Sequence, residues 1–294
     1  MKPAPFDYLL PATLDEAVQA LAGGDGDARV LAGGQSLVPM LNMRLATPQV
    51  LVDINRLPDL DAIDVDGTGH LAVGALVRQR AAERSSVVRE SCPLLARCLP
   101  YVGHAATRNR GTVGGSIAHA DPAGEIPLAL LACGGDVEVL GPAGRRRVAA
   151  DDLFAGFLTT TLGQGEMVVA CHFRVQDASS GSGFAEAAPR HGDFAYASVA
   201  AVVTMAGGLV TAARVAVGAA VDRPRLVGRA GAVLVGTSGG PEPRRAAAEA
   251  VRSGIEPLGT LHAPAPYQRH LLGVLTERAL AGAVAEASEH EEVA

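Results

Sequence analysis

Lysine is almost missing from this chain: of its 25 basic residues only Lys2 is a lysine. With abundant alanine and glycine, that skew reads as a GC-rich coding bias and carries no functional weight. Cysteine is scarce as well. Cys92, Cys98, Cys133 and Cys171 form no C-x-x-C pair and no cluster of ligand spacing, so they read as buried free thiols in a reducing compartment. That excludes an iron–sulfur centre held by this chain. No apolar run approaches about 18 residues, which excludes a transmembrane helix. The N-terminus lacks a proper h-region, so no secretory leader is expected and the chain reads as cytoplasmic. A formal charge of −6 argues against a general nucleic-acid binder. No G-x-G-x-x-G turn opens a helix, no lysine follows a glycine loop, and no G-x-S-x-G elbow occurs. A Rossmann dinucleotide fold, nucleotide triphosphate hydrolysis and a serine-hydrolase triad are thereby disfavoured, and no catalytic residue is assigned.

What is present is an ordinary globular composition, 48% apolar and 19% charged over 294 residues. Thr13 to Glu16 form a capping box, followed by Leu14, Val18 and Leu21 at helical spacing and a stop at Gly23–Gly24. The G-G-D-G run at 23–26 reads as that stop. Strands are expected at 29–32, 50–54, 70–74 and 167–173. A hairpin is expected about Gly141–Gly144. Helix is expected over 76–102 with a break at Pro93, and again over 126–133. Residues 177–183 read as a linker. Paired strands at 198–205 and 210–217 then precede helices at 243–253 and 267–285, and the last nine residues read as frayed. The fold class is α+β, without internal repeats.

Two glycine turns carry the chemistry, AGGQS at 32–36 and TVGGS at 112–116. Paired glycines admit positive φ and remove the Cβ that would block a ligand. Successive backbone N–H groups in such turns make a concave anion site, to which Ser36, Thr112 and Ser116 could add hydroxyl donors. Two facing loops suit a diphosphate better than one; each alone is also compatible with a plain tight turn. His119, Asp121 and Glu125 follow the second loop. Pro122 keeps them off one helical face, so no metal site is expected, and the carboxylates read as hydrogen-bond acceptors. His191-Gly192-Asp193 reads as a turn.

Four segments then match a known family in order: AGGQSLVPMLNMRL, TRNRGTVGGSIAHADPAGEIP, GFAEAAPRHGDFAYAS and APYQRHLLGVLTERAL. They resemble the FAD-binding medium subunit of molybdenum hydroxylases, the group of xanthine dehydrogenase and carbon monoxide dehydrogenase. The resemblance spans about residues 4 to 286. It implies a two-subdomain FAD-binding fold of the vanillyl-alcohol-oxidase (PCMH) type over 1–177, split at about 55, and a C-terminal α+β domain over 178–294. The cofactor contacts it implies are Leu31, Ala32, Gly33, Gly34, Gln35, Ser36 and Leu37 in the first loop. Thr112, Val113, Gly114, Gly115 and Ser116 form the second, with Asp121, Glu125, Val102 and Val168 nearby. The implied partners are a large molybdopterin-binding subunit and a small 2Fe–2S subunit, assembled as a dimer of heterotrimers. The implied role is passing electrons from those clusters through FAD to NAD, dioxygen or a quinone.

Two departures stand out. Many relatives have lysine or glutamine near position 186, where this chain has Glu186. Arg-Arg often precedes the GDFA turn, where it has Pro189-Arg190. They keep open a stand-alone flavoenzyme acting on a small molecule at its own flavin; a cofactor-free scaffold fits the two glycine loops less well. Phe194 or Tyr196 is a candidate neighbour of the flavin ring, or else a core aromatic beside a turn.

Overall fold

The computed structural model describes residues 2–23 and 27–293. Residues 24–26, in the glycine run read as a helix stop, lie outside the described residues. The first unit is a small parallel sheet, formed by β1 (Asp7–Leu9), β2 (Ala28–Leu31) and β3 (Val50–Asp53) in the order β1-β3-β2. Helix α1 (Leu14–Gly23) covers it, and the short α2 (Leu37–Asn42) follows the first glycine loop. The capping box forms with a one-residue offset. The Thr13 hydroxyl accepts from the Glu16 N–H at 3.2 Å, and the Glu16 carboxylate reaches back to the Ala12 N–H at 2.7 Å.

The second unit is a five-stranded antiparallel sheet with helices on one face. Its strands β4 (Ile63–Val65) and β5 (His70–Gly74) come first. Helices α3 (Gln79–Arg84), α4 (Ser86–Ser91) and α5 (Pro93–Cys98) follow, then a 3₁₀ turn at Leu99–Tyr101. The expected helix over 76–102 is therefore broken at Ser85 as well as at Pro93. Ser85 leaves α-geometry (ψ 128°) to cap α4, its hydroxyl accepting from the Val88 N–H. Helices α6 (Ala105–Arg110), α7 (Val113–His119) and α8 (Glu125–Cys133) come next. The expected hairpin forms from β6 (Asp136–Gly141) and β7 (Gly144–Ala149), with Gly141 paired to Gly144. A short α9 (Ala150–Leu153), the small pair β8 (Phe154–Gly156) and β9 (Thr159–Thr160), and β10 (Met167–Arg174) complete the unit. The sheet order is β4-β5-β10-β6-β7.

The third unit packs β11 (Ser180–Ala187), β12 (Ala197–Ala206), β13 (Leu209–Gly218) and β14 (Arg225–Leu226) in sequence order. Helices α10 (Gly228–Ala232), α11 (Pro241–Gly254) and α12 (Ala265–Val293) lie against it. Two expectations are corrected here. Residues 180–183 are strand rather than linker, because their backbone pairs with β12 from Ser180↔Thr204 onward. The C-terminal segment is not frayed, because α12 runs on to Val293 with its late residues engaged. Glu286 accepts from the Ser182 N–H and from Arg97, and Glu291 accepts from the Gly208 N–H.

Helix α8 joins the second and third units. All nine of its residues are buried, as expected of a helix that is apolar on every side. One side packs on the second unit and the other on β12 and β13, so Ala200 and Ala216 belong to the second unit's core. Arg214 on β13 pins the junction by donating to the Leu131 and Ala132 carbonyls at the end of α8 and to Asp151. All four cysteines are buried free thiols.

Strand β11 carries a different interface on each face. Gly181 and Gly183 let α12 approach until a Cβ would run into the Ala283 or Ala279 carbonyl. Ser182 and Phe184 face the second unit, where Phe184 meets Tyr101 edge-on at 5.1 Å. Gly183→Ala should push α12 off the sheet and destabilise the chain by roughly 1–3 kcal/mol, as overpacking does. Urea unfolding checks this; an unchanged midpoint would show that α12 yields freely.

Candidate cofactor-binding site

The site begins where β2 ends. Leu31 pairs with Asp53, and the chain then leaves the sheet through Ala32 to Ser36. Gly34 takes φ +72°, a left-handed geometry that favours glycine. Gly33 is required by space: a Cβ there would stand 2.5 Å from the Arg110 carbonyl oxygen and 2.7 Å from the Gly111 Cα. The second loop arrives at this point because α6 stops at Gly111 and Thr112 caps α7. A Cβ on Gly115 would lie 3.9 Å from that of Ala32. The two glycine loops thus touch, largely backbone to backbone.

They are chemically unequal. Among the described residues no backbone N–H from Gly33 to Leu37 donates to a protein acceptor. In the second loop the Val113 N–H donates to the Val77 carbonyl at 2.9 Å and the Ser116 N–H to the Thr112 carbonyl at 3.1 Å. The Gly115 N–H donates to the Thr112 hydroxyl at 3.0 Å. Among the described residues the second loop leaves uncommitted the N–H groups of Thr112 and Gly114 and the Ser116 hydroxyl. Gly114 is also a packing glycine, since a Cβ would press on the Ala75 Cα at 2.6 Å. The first loop therefore holds the main row of uncommitted backbone donors, and the second supplies a close wall. The Thr112 hydroxyl accepts the Gly115 N–H as the cap of α7, which leaves its own O–H free to donate.

Polar side chains bind the loops together. The Asn55 amide donates to the Ala32 carbonyl at 2.8 Å and to Asp53 at 2.6 Å. Arg78 donates to the Asn55 side-chain oxygen at 2.7 Å and to the Arg110 carbonyl at 2.6 Å. Sequence reasoning missed both Asn55 and Arg78. Neither belongs to a glycine motif, and only the tertiary contact marks them.

Of the two arginines in the second motif, Arg108 is buried and structural. It donates to Glu83 at 2.8 Å and to the carbonyls of Val102 and Gly103 at 3.0 and 3.1 Å. That fixes the Val102–Gly103 turn beside the site. Arg110 is exposed next to the loops. Ala120 holds φ +52°, unusual for alanine, and the Asp121 carboxylate accepts from the Ala123 N–H at 2.9 Å. Val168 lies in the second unit's core on β10, away from the loop surface. Among the described residues no group of three His, Cys, Asp or Glu is placed to hold a metal ion.

An acidic seam lies where the second and third units meet. Glu125 is 8% exposed at the start of α8. Burial raises its carboxyl to about 8; Glu186 and Asp121 push the same way, while its own N–H and Arg108 oppose. Glu186, on β11, is raised to about 7 by burial, and its Oε2 is buried with no partner. Phe194 is 75% exposed, which removes the core-aromatic alternative for it. Tyr196 is half-buried, and His191–Asp193 is the expected turn, with Gly192 at φ +85°.

Paired glycine loops contributed by two adjoining α/β units, followed by a sheet-and-helix domain, match known proteins along the whole chain. The family model for the FAD binding domain in molybdopterin dehydrogenase covers residues 4–173, and that for the CO dehydrogenase flavoprotein C-terminal domain covers 182–283. The nicotine 6-hydroxylase medium subunit of Paenarthrobacter nicotinovorans is 37% identical over 95% of this chain and 98% of its own. The 6-hydroxypseudooxynicotine dehydrogenase complex subunit alpha of the same organism is 35% identical over 99% of both. A solved chain of the CO dehydrogenase from Oligotropha carboxidovorans superposes with a TM-score of 0.94 at 32% identity, covering 97% of this chain and 100% of that one. The chain is a flavoprotein whose cofactor is FAD. It belongs to the medium-subunit flavoproteins of the molybdopterin dehydrogenases, a family of oxidoreductase subunits.

The residues present fit that cofactor: a glycine-walled cradle, a row of unpaired N–H groups and two arginines at one end. The seam has a stability consequence. A carboxyl raised in the folded state holds a proton that the unfolded chain releases, so stability falls as pH rises from the ordinary carboxylate range to about 8. The FAD-free protein should therefore melt progressively lower between pH 5 and 8, and Glu186→Gln should flatten that decline. Parallel melting curves against pH for the two proteins would refute the shift.

Proposed function

We propose that this subunit takes electrons from the 2Fe–2S clusters of a small partner subunit and passes them to NAD, dioxygen or a quinone. A large molybdopterin-binding subunit would feed those clusters, in a cytoplasmic dimer of heterotrimers. The observation that carries the reading is the contact of the two glycine loops with the N–H row of Gly33 to Leu37 left unpaired beside it. When bound, FAD supplies the redox chemistry; the chain binds, orients and tunes it.

In this reading Leu31 to Leu37 hold the diphosphate, with the Ser36 hydroxyl as an added donor. Thr112 to Ser116 form the facing wall, and the Gly114 N–H and Ser116 hydroxyl point their spare hydrogens at the same anion. Val102 lines the turn fixed by Arg108, and Val168 supports α7 from behind. Asp121 and Glu125 serve as polar contacts at the seam. The division at about 55 and 177 is supported by the sheets: each draws its strands from one span, 7–53, 63–174 or 180–226. The medium-subunit names of relatives support the partner assignment.

Substituting valine at Gly33 or Gly114 would test folding as much as binding, because both positions face backbone. Ser36 and Ser116 are cleaner targets, since among the described residues neither hydroxyl has a protein partner. Each lost hydrogen bond is worth about 0.5–1.5 kcal/mol. The Ser36→Ala/Ser116→Ala double variant should therefore bind FAD roughly tenfold more weakly, with an unchanged melting temperature when FAD-free. Titration followed by flavin fluorescence reads this. Native co-purification with molybdenum and iron would support the electron-transfer role, and a stoichiometric flavin band without either metal would refute it.

A further inference from the structure

Asn55 and Arg78 lie outside both glycine loops, yet among the described residues the polar side-chain relay between those loops runs through them. Asn55 closes β3, immediately after Asp53-Ile54, and Arg78 precedes α3. The Arg78 backbone makes an isolated antiparallel bridge to Thr112, which holds its side chain at the entry of the second loop. From there its guanidinium reaches the Arg110 carbonyl at 2.6 Å and Asn55 Oδ1 at 2.7 Å. Asn55 Nδ2 completes the link to the Ala32 carbonyl at 2.8 Å. The amide orientation is forced, because the opposite one would set its N–H against the guanidinium and its oxygen against Asp53.

The charge at this point is unbalanced. Among the described residues neither Arg78 nor Arg110 forms a salt bridge with a carboxylate, although most other arginines near acids do. Asp53 is the nearby acid, and both its oxygens are already engaged, by Tyr8 at 2.5 Å and by Asn55. Burial and then Arg110 work against the Arg78 charge, and Asp53 offsets them only in part. A guanidinium carries five N–H donors, and Arg78 commits only part of them to protein acceptors. Two neighbouring cations without a carboxylate salt bridge, beside a row of unpaired N–H groups, suit an anion at the loops.

We propose that Asn55 and Arg78 form a positioning clamp that sets the spacing of the two glycine loops, with Arg78 also supplying a fixed positive charge to the FAD diphosphate. This rests on the FAD assignment for the same loops. The clamp explains why Arg suits position 78: a planar fork can serve two acceptors at once, which a lysine ammonium on a flexible stem cannot hold in the same geometry.

The test is equilibrium binding of FAD and of riboflavin, which lacks phosphate, to the full chain at 50 and 500 mM salt. Wild-type protein should bind FAD stoichiometrically and more weakly at high salt; failure of the wild type to bind would sink the FAD assignment and the clamp with it. Arg78→Gln should weaken FAD by about tenfold or more, as expected for a lost charge-assisted contact, flatten the salt dependence and leave riboflavin binding within about twofold. Asn55→Ala should weaken FAD while keeping the salt dependence, because it loosens the loops without removing charge. Arg78→Lys should restore the salt dependence but only part of the affinity. If Arg78→Gln binds FAD as tightly as wild type, or loses FAD and riboflavin equally with the salt dependence intact, the clamp is overturned. Should that variant fail to fold, Arg78→Lys decides: wild-type affinity there would show that no fork is needed.

Discussion

The arrangement of this protein depends on one contact without side chains, that of Gly33 with the backbone of Arg110 and Gly111. Two units with separate sheets are brought together there until no Cβ fits between them. Behind the contact, Ala17, Leu21, Val52 and Ile54 of the first unit share a core with Leu76, Met167 and Val169 of the second. Each such side chain contributes about 1.5–3 kcal/mol when fully buried. The core brings the units together, but it is non-directional and cannot set the separation of the loops to a fraction of an ångström. The glycine contact and the hydrogen bonds beside it can.

The resulting site is polarised. At the loop end, Arg78 and Arg110 lie near the unpaired N–H groups of the first loop. At the seam, Glu125 and Glu186 sit in surroundings dry enough to favour their neutral forms. The third unit contributes Glu186 to that seam.

Much of this was legible in the sequence, for identifiable reasons. Gly-Gly pairs, the Thr13–Glu16 cap and the Asp136–Val148 hairpin are local features whose physics acts within a few residues. The ends of elements were less legible. Small polar residues at 180–183 read as linker, but glycine there serves close helix packing. The acidic C-terminal segment read as frayed because the partners of Glu286 and Glu291 are 83 to 189 residues away in sequence. The capping role of Thr112 was not legible because it depends on where α7 begins. Asn55 and Arg78 were invisible for the same reason, since a single Asn or Arg outside a motif carries no periodic or spacing signal.

The two-faced character of β11 sets how the chain can vary in length. Alternation places glycines against α12 and places Ser182, Phe184 and Glu186 toward the second unit, so a shift of one residue exchanges the two sets. Insertions between Val175 and Ser179, before pairing begins, leave that alternation untouched. One inserted residue after Ser180 would drive a phenylalanine into the helix and a glycine toward the flavin unit. Length variation among homologous chains should accordingly gather just ahead of this strand and stop abruptly at its first residue.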